Sequence, residues 1–400
     1  MKSNVPTRRT GYGAFLACVA LTCSLASPAS LGDARDQAKR IHDRIAGVPP
    51  DEATLAEMAT RIGNNDEVGA ALLATDAPEF YNVTLKNFAA PWTNRERSVF
   101  VPLNDYIATI IGMVRDNWDF REILSADVLY TGSGNGIPAY SNTSNAHYEA
   151  LENAGIDLSA NLQFTPQSAL TGVPASATAG VMTTRAAAKA FFIDGTNRAM
   201  FRFTLLNHMC NDLEQVMDTS RIPDRIRQDV SRSPGGDSRL FLNNCIGCHS
   251  GMDPLAGAYA HYDYVYDPVT DPDGNNGRIV YDSSQVASKY FNNSNNFEHG
   301  FITTDESWFN YWRNGPNQLL GWDSSLPGAG SGAKSMGEEL ANSDIFAQCQ
   351  VRKVFENVCL HPVEDAADRA QIAAMLGSFR SSNYNLKQVY AESAVYCMGD

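Results

Sequence analysis

The sequence predicts a mainly α-helical protein with one small β-hairpin. Apolar residues recur at helical spacing in several segments, for example at Val351, Val354, Phe355 and Val358. Only residues 262–282 place two aromatic and β-branched runs around a turn rich in Pro, Asp, Gly and Asn, which is the pattern of a hairpin. With 400 residues, 44% of them hydrophobic and 19% charged, the chain has an ordinary globular composition.

The N-terminal half begins with two predicted amphipathic helices. Residues 33–48 and 51–62 show the helical period and are separated by Pro49–Pro50, and Asp51 is placed to cap the second helix. Residues 98–130 follow as helices around a central apolar stripe. Residues 131–180 are rich in Gly, Ser, Asn, Ala and Pro, so we expect a long loop there, with an ordered lid or packing arm as the alternative.

The remaining helical segments lie further along the chain. Helix returns over residues 182–217, ahead of the predicted hairpin. After a loop rich in Gly, Ser and Pro, helices are expected within 336–359, 363–379 and 386–396. We therefore divide the mature chain into three regions, 30–180, 181–337 and 338–400.

Residues 1–29 have the layout of a signal peptide. Three basic residues precede the apolar run 14–26, and small residues follow it, which predicts cleavage near Ala29 and a periplasmic or secreted protein. The run is too short for a comfortable membrane span, and no later segment is apolar enough for one. A lipid anchor at Cys23 is disfavoured because "ALTC" departs from the sequence that lipoprotein signals use.

The net charge of the chain limits the classes of partner that it is expected to bind. The formal net charge is −14, with an isoelectric point near 4.9, and removal of the basic signal peptide shifts the net charge to −17. An acidic surface repels nucleic acid and anionic membranes, so neither is expected as a partner. The same surface can attract a protein with a basic docking face.

Two cysteines and a histidine form the most specific pattern in the sequence. Cys245, Cys248 and His249 spell C-x-x-C-H, for which composition alone gives about 0.003 chance occurrences. On a helical turn these three positions share one face, so the cysteines can form two thioethers to one haem c while His249 ligates its iron. A zinc site needs four ligands, and no second ligand pair is apparent. A thioredoxin-like site belongs in a βαβ unit, which this segment lacks.

The other cysteines agree with export. Four spare cysteines remain in the mature chain, which predicts two disulfides in an oxidising compartment, with buried free thiols as the alternative. Cys349 and Cys359 are expected on one helix about 15 Å apart and cannot pair with each other. Each would therefore need Cys210 or Cys397.

The segment "CIGCHSGMDPLAGAYAHYDY" resembles the C-x-x-C-H-x-x-x-D-P stretch of planctomycete-type cytochrome c proteins. The helical segments before it and the C-terminal helical segments are similar to those of the same family. The family's "F-G-R-x-P" stretch appears here as "VCLHP" at residues 358–362. The resemblance implies a multi-helical, cytochrome c-like periplasmic protein with a single covalent haem.

The second axial ligand would decide the chemistry of such a haem. Met336 follows a Gly-rich loop and enters a helix, which makes it the sequence candidate for this ligand. Met252 lies too close to His249 along the chain to reach the opposite haem face. His208, His261 and His299 are further alternatives.

Two functions follow from the haem prediction. Electron transfer to a redox protein partner is preferred, so we expect an electron-transfer protein rather than an enzyme. The alternative is a peroxidase- or oxygenase-like enzyme with an open iron position, in which residues 131–180 and Trp308, Trp312 and Trp322 line a substrate pocket. Burial in the core is the competing role for the tryptophans.

Overall fold

The fold is mainly helical, as predicted. The computed structural model describes residues 33–193 and 195–399, so the predicted signal peptide lies outside the described residues. Two π-helical segments, Phe80–Leu85 and Phe241–Cys245, lead into α4 and α12. The α-helices are α1 (Ala34–Ala46), α2 (Glu52–Gly63), α3 (Glu67–Ala74), α4 (Lys86–Ala89), α5 (Asp105–Arg115), α6 (Ala146–Asn153), α7 (Leu158–Asn161), α8 (Gln167–Thr171), α9 (Arg185–Phe191), α10 (Arg198–His208), α11 (Ser238–Leu240), α12 (Ile246–Ala256), α13 (Gly332–Ala341), α14 (Asp344–Cys359), α15 (Ala366–Ser381) and α16 (Leu386–Tyr396).

The predicted hairpin is present, but it is not the only strand pair. The strands are β1 (Leu129–Thr131), β2 (Gln163–Thr165), β3 (Tyr262–Val265), β4 (Arg278–Tyr281), β5 (Ser307–Phe309) and β6 (Ala329–Ser331). They form three antiparallel pairs, β1–β2, β3–β4 and β5–β6. The expectation of a single hairpin was therefore wrong. Strands of three residues are too short to show an alternating pattern, and β1–β2 and β5–β6 pair across long stretches of chain.

The helix boundaries follow local chemistry. The side chain of Asp51 accepts the backbone N–H of Thr54 at 2.7 Å, as expected of the α2 cap. Ser343 caps α14 in the same way at Phe346. The predicted helix 386–396 coincides with α16.

The segment 131–180 contains regular structure and is closer to the ordered packing arm than to a plain loop. It contains α6, α7, β2 and α8, and the side chains of Tyr148, Leu151 and Leu158 are buried. These helices have four to eight residues, and such short elements show no readable helical period. The segment thus packs onto the protein as ordered structure.

One continuous apolar core joins the three predicted regions. It contains residues of α1, α5, α10, α12 and α14 among others. Two disulfides reinforce it, Cys210–Cys349 and Cys359–Cys397, and α14 carries both Cys349 and Cys359. Both the disulfides and the shared helix were predicted. In the described part of the chain, no helix combines the length and apolar character that crossing a membrane requires.

Candidate functional site

The C-x-x-C-H residues lie where the π-helical segment passes into α12. Cys245 is the last residue of that segment, and Cys248 and His249 belong to the first turn of α12. The segment is anchored to the protein, because Phe241 and Ile246 are buried against Ile226. Cys245, Cys248 and His249 are half-buried, and Cys245 packs against the same cluster.

The two motif cysteines are free thiols. The other four cysteines of the described chain are paired in disulfides. Burial, followed by the neighbouring carboxylates of Glu214 and Asp212, raises the pKa of Cys248. A redox-active or nucleophilic cysteine needs a lowered pKa, so this environment disfavours a thioredoxin-like site.

His249 is oriented by a carboxylate one helical turn further on. Its Nδ1 lies 3.1 Å from Oδ2 of Asp253, whose side chain is fully buried. A carboxylate only accepts, so Nδ1 carries the proton and donates it in this hydrogen bond. In the neutral imidazole, Nε2 of His249 is then the ring nitrogen that has a free lone pair.

Asp253 is in turn held by arginines. Nε of Arg198 donates to Oδ1 of Asp253 at 2.7 Å, and Arg198 also forms a two-point ion pair with Asp229. Burial alone would raise the pKa of Asp253, but Arg198, His249 and the buried Arg227 together hold it well below its usual range. Asp253 is consequently an ionised acceptor for His249.

A segment preceding the motif lies along the first turn of α12. The backbone N–H of Asp218 donates to the carbonyl of Gly247 at 2.9 Å, and Oγ of Ser250 donates to the carbonyl of Asp218 at 2.9 Å. Met217 approaches so closely that a Cβ on Gly247 would lie 3.1 Å from its Cβ. The small residue at position 247 allows this contact.

Large apolar side chains are exposed near the motif in sequence. Leu242 lies in the π-helical segment, three residues before Cys245, and it is 54% exposed. Met217, beside Gly247, is 44% exposed. Apolar side chains of this size are available to contact a bound apolar group.

The motif residues do not form a metal cage of their own. Over residues 33–193 and 195–399, the only group of three His, Cys, Asp or Glu side chains that converges closely enough to hold an ion is Cys359, His361 and Cys397. Both sulfurs of that group are joined in a disulfide. Neither the C-x-x-C-H residues nor this second group supplies the four ligands of a zinc site.

Met336 is not exposed near the motif. Its side chain is fully buried in the main core on α13, which packs on the Phe120–Leu124 segment and on the Gly257–Tyr259 turn. This burial favours a packing role, and the ligand role stays a prediction. Met252 is also buried, on α12 itself.

The three histidine alternatives have different surroundings. Nε2 of His208 is hydrogen-bonded to the hydroxyl of Tyr106 at 2.8 Å in the core. The Nδ1 atom of His261 lies 3.8 Å from Oε2 of Glu306. His299 is exposed and packs edge-on against Phe297.

The tryptophans are structural. Trp308 and Trp312 are buried in the core, and the indole N–H of Trp322 donates to backbone carbonyls. They do not surround a shared cavity with residues 131–180 among the described pockets. Core packing was the competing prediction for these residues.

Sequence reasoning missed Asp253, Arg198 and Asp229 as supports for His249. The four-residue spacing between His249 and Asp253 is a local signal that could have identified Asp253. Arg198 and Asp229 carry no such signal, because they come from distant parts of the chain. No protein-family model, curated protein or solved structure matches the chain.

Proposed function

We propose that the protein is an exported, cytochrome c-like protein of the planctomycete type that transfers electrons through one covalent haem c. Cys245 and Cys248 would hold the haem through thioethers, and Nε2 of His249 would ligate its iron. When bound, the haem supplies a one-electron iron couple. The observation that carries the proposal is the pair of free cysteines in C-x-x-C-H, in a chain whose other described cysteines are paired.

The chemistry of the site supports this assignment. The thiols stand three residues apart on one helical face, which suits two attachments to a single macrocycle. The hydrogen bond to Asp253 leaves Nε2 of His249 free to ligate a metal. The exposed Leu242, three residues before Cys245, offers apolar contact near the motif.

The partner would be a redox protein with a basic docking face. A formal net charge of −14 attracts a basic surface and speeds its encounter at low ionic strength. This attraction is weakened by added salt, since the Debye length is about 10 Å at 0.1 M. Export to the periplasm or beyond is part of the same proposal, because it supplies the oxidising compartment that disulfides require.

A second function is haem-dependent peroxidase- or oxygenase-like catalysis. It is favoured by one observation, the hydrogen bond from His249 to the ionised Asp253, which makes the imidazole a stronger donor to iron and stabilises the ferric state. Catalysis also needs an iron position open to a small molecule.

An optical spectrum of the mature protein tests both functions. We expect a haem that remains with the polypeptide after acid–acetone extraction and, if the protein transfers electrons, a ferrous form that binds carbon monoxide poorly. Extraction of all the haem would contradict covalent attachment. Prompt binding of carbon monoxide and peroxide would favour the catalytic function.

A further inference from the structure

A cavity of about 780 Å³ lies apart from the haem motif. Its walls come from the residues before α5, from the start of α6, from α9 and from the turn between β3 and β4. None of its lining residues belongs to the motif or to the carboxylate and arginines that support it. Its volume is in the range of sites for small organic molecules.

Arg185 brings a buried positive charge to this cavity. The residue is 5% exposed, and its guanidinium donates to the backbone carbonyls of Gly277, Thr143 and Asn275. Over the described residues it forms no ion pair with a carboxylate. A buried cation that is satisfied only by carbonyl dipoles is costly, so an anion entering the cavity would be stabilised beside it.

The carboxylate of Asp105 is committed to the backbone. Its oxygens accept the N–H groups of Arg185, Ala186 and Tyr106, at 2.7, 3.0 and 3.0 Å. These bonds hold the start of α9 in place behind the cavity. Asp105 attracts the guanidinium at a distance. Because Nε and Nη2 of Arg185 donate to the three carbonyls, Nη1 is the guanidinium nitrogen that can donate to a ligand.

Lys189 adds a second positive charge one turn further along α9. Its Nζ donates to Oδ1 of Asn275 at 2.6 Å, and both residues line the cavity. Arg185 and Lys189 thus present two neighbouring cations to the cavity, and the carboxylates of Glu149, Asp271 and Asp273 lie close enough to Lys189 to interact with it. Such a pair of cations suits the two oxygens of a carboxylate.

The other residues that line the cavity limit the charge and polarity of the rest of the ligand. Glu96 and Glu149 are exposed at the cavity and would repel a second negative charge. Val101 and Ile193 provide apolar surface, while Asn276 is an amide that can pair with hydroxyl groups. We propose that this cavity binds a small polar monocarboxylic acid, with its carboxylate on Arg185 and Lys189.

Calorimetric titration of the full mature protein tests the site. The probes are gluconate and lactate, and glucitol serves as the neutral counterpart of gluconate. We expect saturable binding of at least one of the two acids at one site per chain, weakened by salt, and no binding of glucitol. Failure of both acids to bind, or equal binding of glucitol, would overturn the proposal.

Substitutions test whether the acid binds in this cavity. Lys189→Gln should weaken binding of the acid about tenfold, the effect of losing one charge-assisted contact. Arg185→Lys keeps the charge but loses the forked geometry and should also weaken binding. Lys39→Gln removes the same charge from an exposed position on α1 and should leave binding unchanged.

If Arg185→Lys fails to fold, the comparison of Lys189→Gln with Lys39→Gln decides the question. Lys189 is only partly buried, so its substitution leaves the core intact. Unaltered binding in Lys189→Gln, or an equal loss in Lys39→Gln, would show that the acid does not occupy this cavity.

Discussion

Nδ1 of His249 and Oδ2 of Asp253 are 3.1 Å apart, one helical turn from each other on α12. The relationship fixes the tautomer of His249, because the buried carboxylate can only accept. Arg198 holds the carboxylate from the other side. The ring of His249 is thus oriented by a chain of charged groups before any metal binds, which is the usual role of partners behind a histidine ligand.

Substitution of Asp253 should change the redox potential of the haem. In Asp253→Asn the acceptor loses its charge, so His249 becomes a weaker donor to iron and the potential should rise, on the order of 60 mV for 1.4 kcal/mol and one electron. Potentiometry of the ferric–ferrous couple measures this change. Loss of the buried pair with Arg198 should also lower the free energy of unfolding by about 3–5 kcal/mol.

Asp229→Asn is the matched control for that variant. It removes the outer carboxylate of Arg198 but leaves the hydrogen bond between His249 and Asp253. Its potential should stay close to that of the wild type. A similar rise in both variants would mean that the general charge around Arg198, rather than the bond to His249, sets the potential.

Haem attachment should depend on the two motif cysteines. Cys245→Ala and Cys248→Ala each remove one thioether, so each single variant should keep its haem through the remaining sulfur alone, and the double variant should retain none covalently. Mass spectrometry of the denatured chain measures the attached haem. The control is the pair Cys359→Ser and Cys397→Ser, which removes a disulfide away from the motif. Retention of covalent haem in the Cys245 and Cys248 double variant would refute the assignment.

The parts of the fold that follow from local patterns were predictable. Helix α16 and the cap of α2 at Asp51 follow from apolar periodicity and a single side chain. The pair β3–β4 follows from its turn composition. The pair β1–β2 could not be predicted, since it joins three-residue strands through tertiary packing.

The candidate site also has one part that the sequence predicted and one part that it could not predict. Cys245, Cys248 and His249 form a pattern that can be recognised within five consecutive residues of the sequence. The arginine that fixes Asp253 lies 55 residues from it along the chain, and its role depends on how α10 packs against α12. For Met336 the local sequence gave no information about the burial of its side chain, and its role as a ligand stays a prediction.

The two disulfides should contribute differently to stability. Cys210 and Cys349 are 139 residues apart and Cys359 and Cys397 are 38 apart. In the chain-entropy model the longer loop contributes about 5 kcal/mol and the shorter about 4 kcal/mol. Denaturant unfolding of the Cys210→Ser, Cys349→Ser variant and of the Cys359→Ser, Cys397→Ser variant measures the two losses. Four reactive thiols in unreduced, denatured haem protein would contradict both pairings.

His208 should make the protein less stable in mild acid. Burial, followed by the charge of Lys353, holds the pKa of His208 well below 6.5, so it is neutral in the folded chain. The unfolded chain binds a proton as the pH falls through about 6.5, and the free energy of unfolding should then drop by up to about 1.4 kcal/mol per pH unit. His208→Gln should flatten this dependence, whereas His299→Gln, at an exposed position, should not. Equal slopes in the wild type and His208→Gln would contradict the prediction.

Met336 can be tested as a ligand without disturbing the core. Met336→Leu nearly conserves volume and should cost less than about 1.5 kcal/mol of stability, yet it removes the sulfur. Because the side chain is fully buried in the main core, we expect the redox potential, the near-infrared spectrum and carbon monoxide binding of Met336→Leu to match the wild type. Met336→Ala should then act only through its cavity, with a loss of about 2–5 kcal/mol. If Met336→Leu instead abolishes a near-infrared sulfur–iron band, lowers the potential and opens the ferrous iron to carbon monoxide, Met336 is the second axial ligand after all.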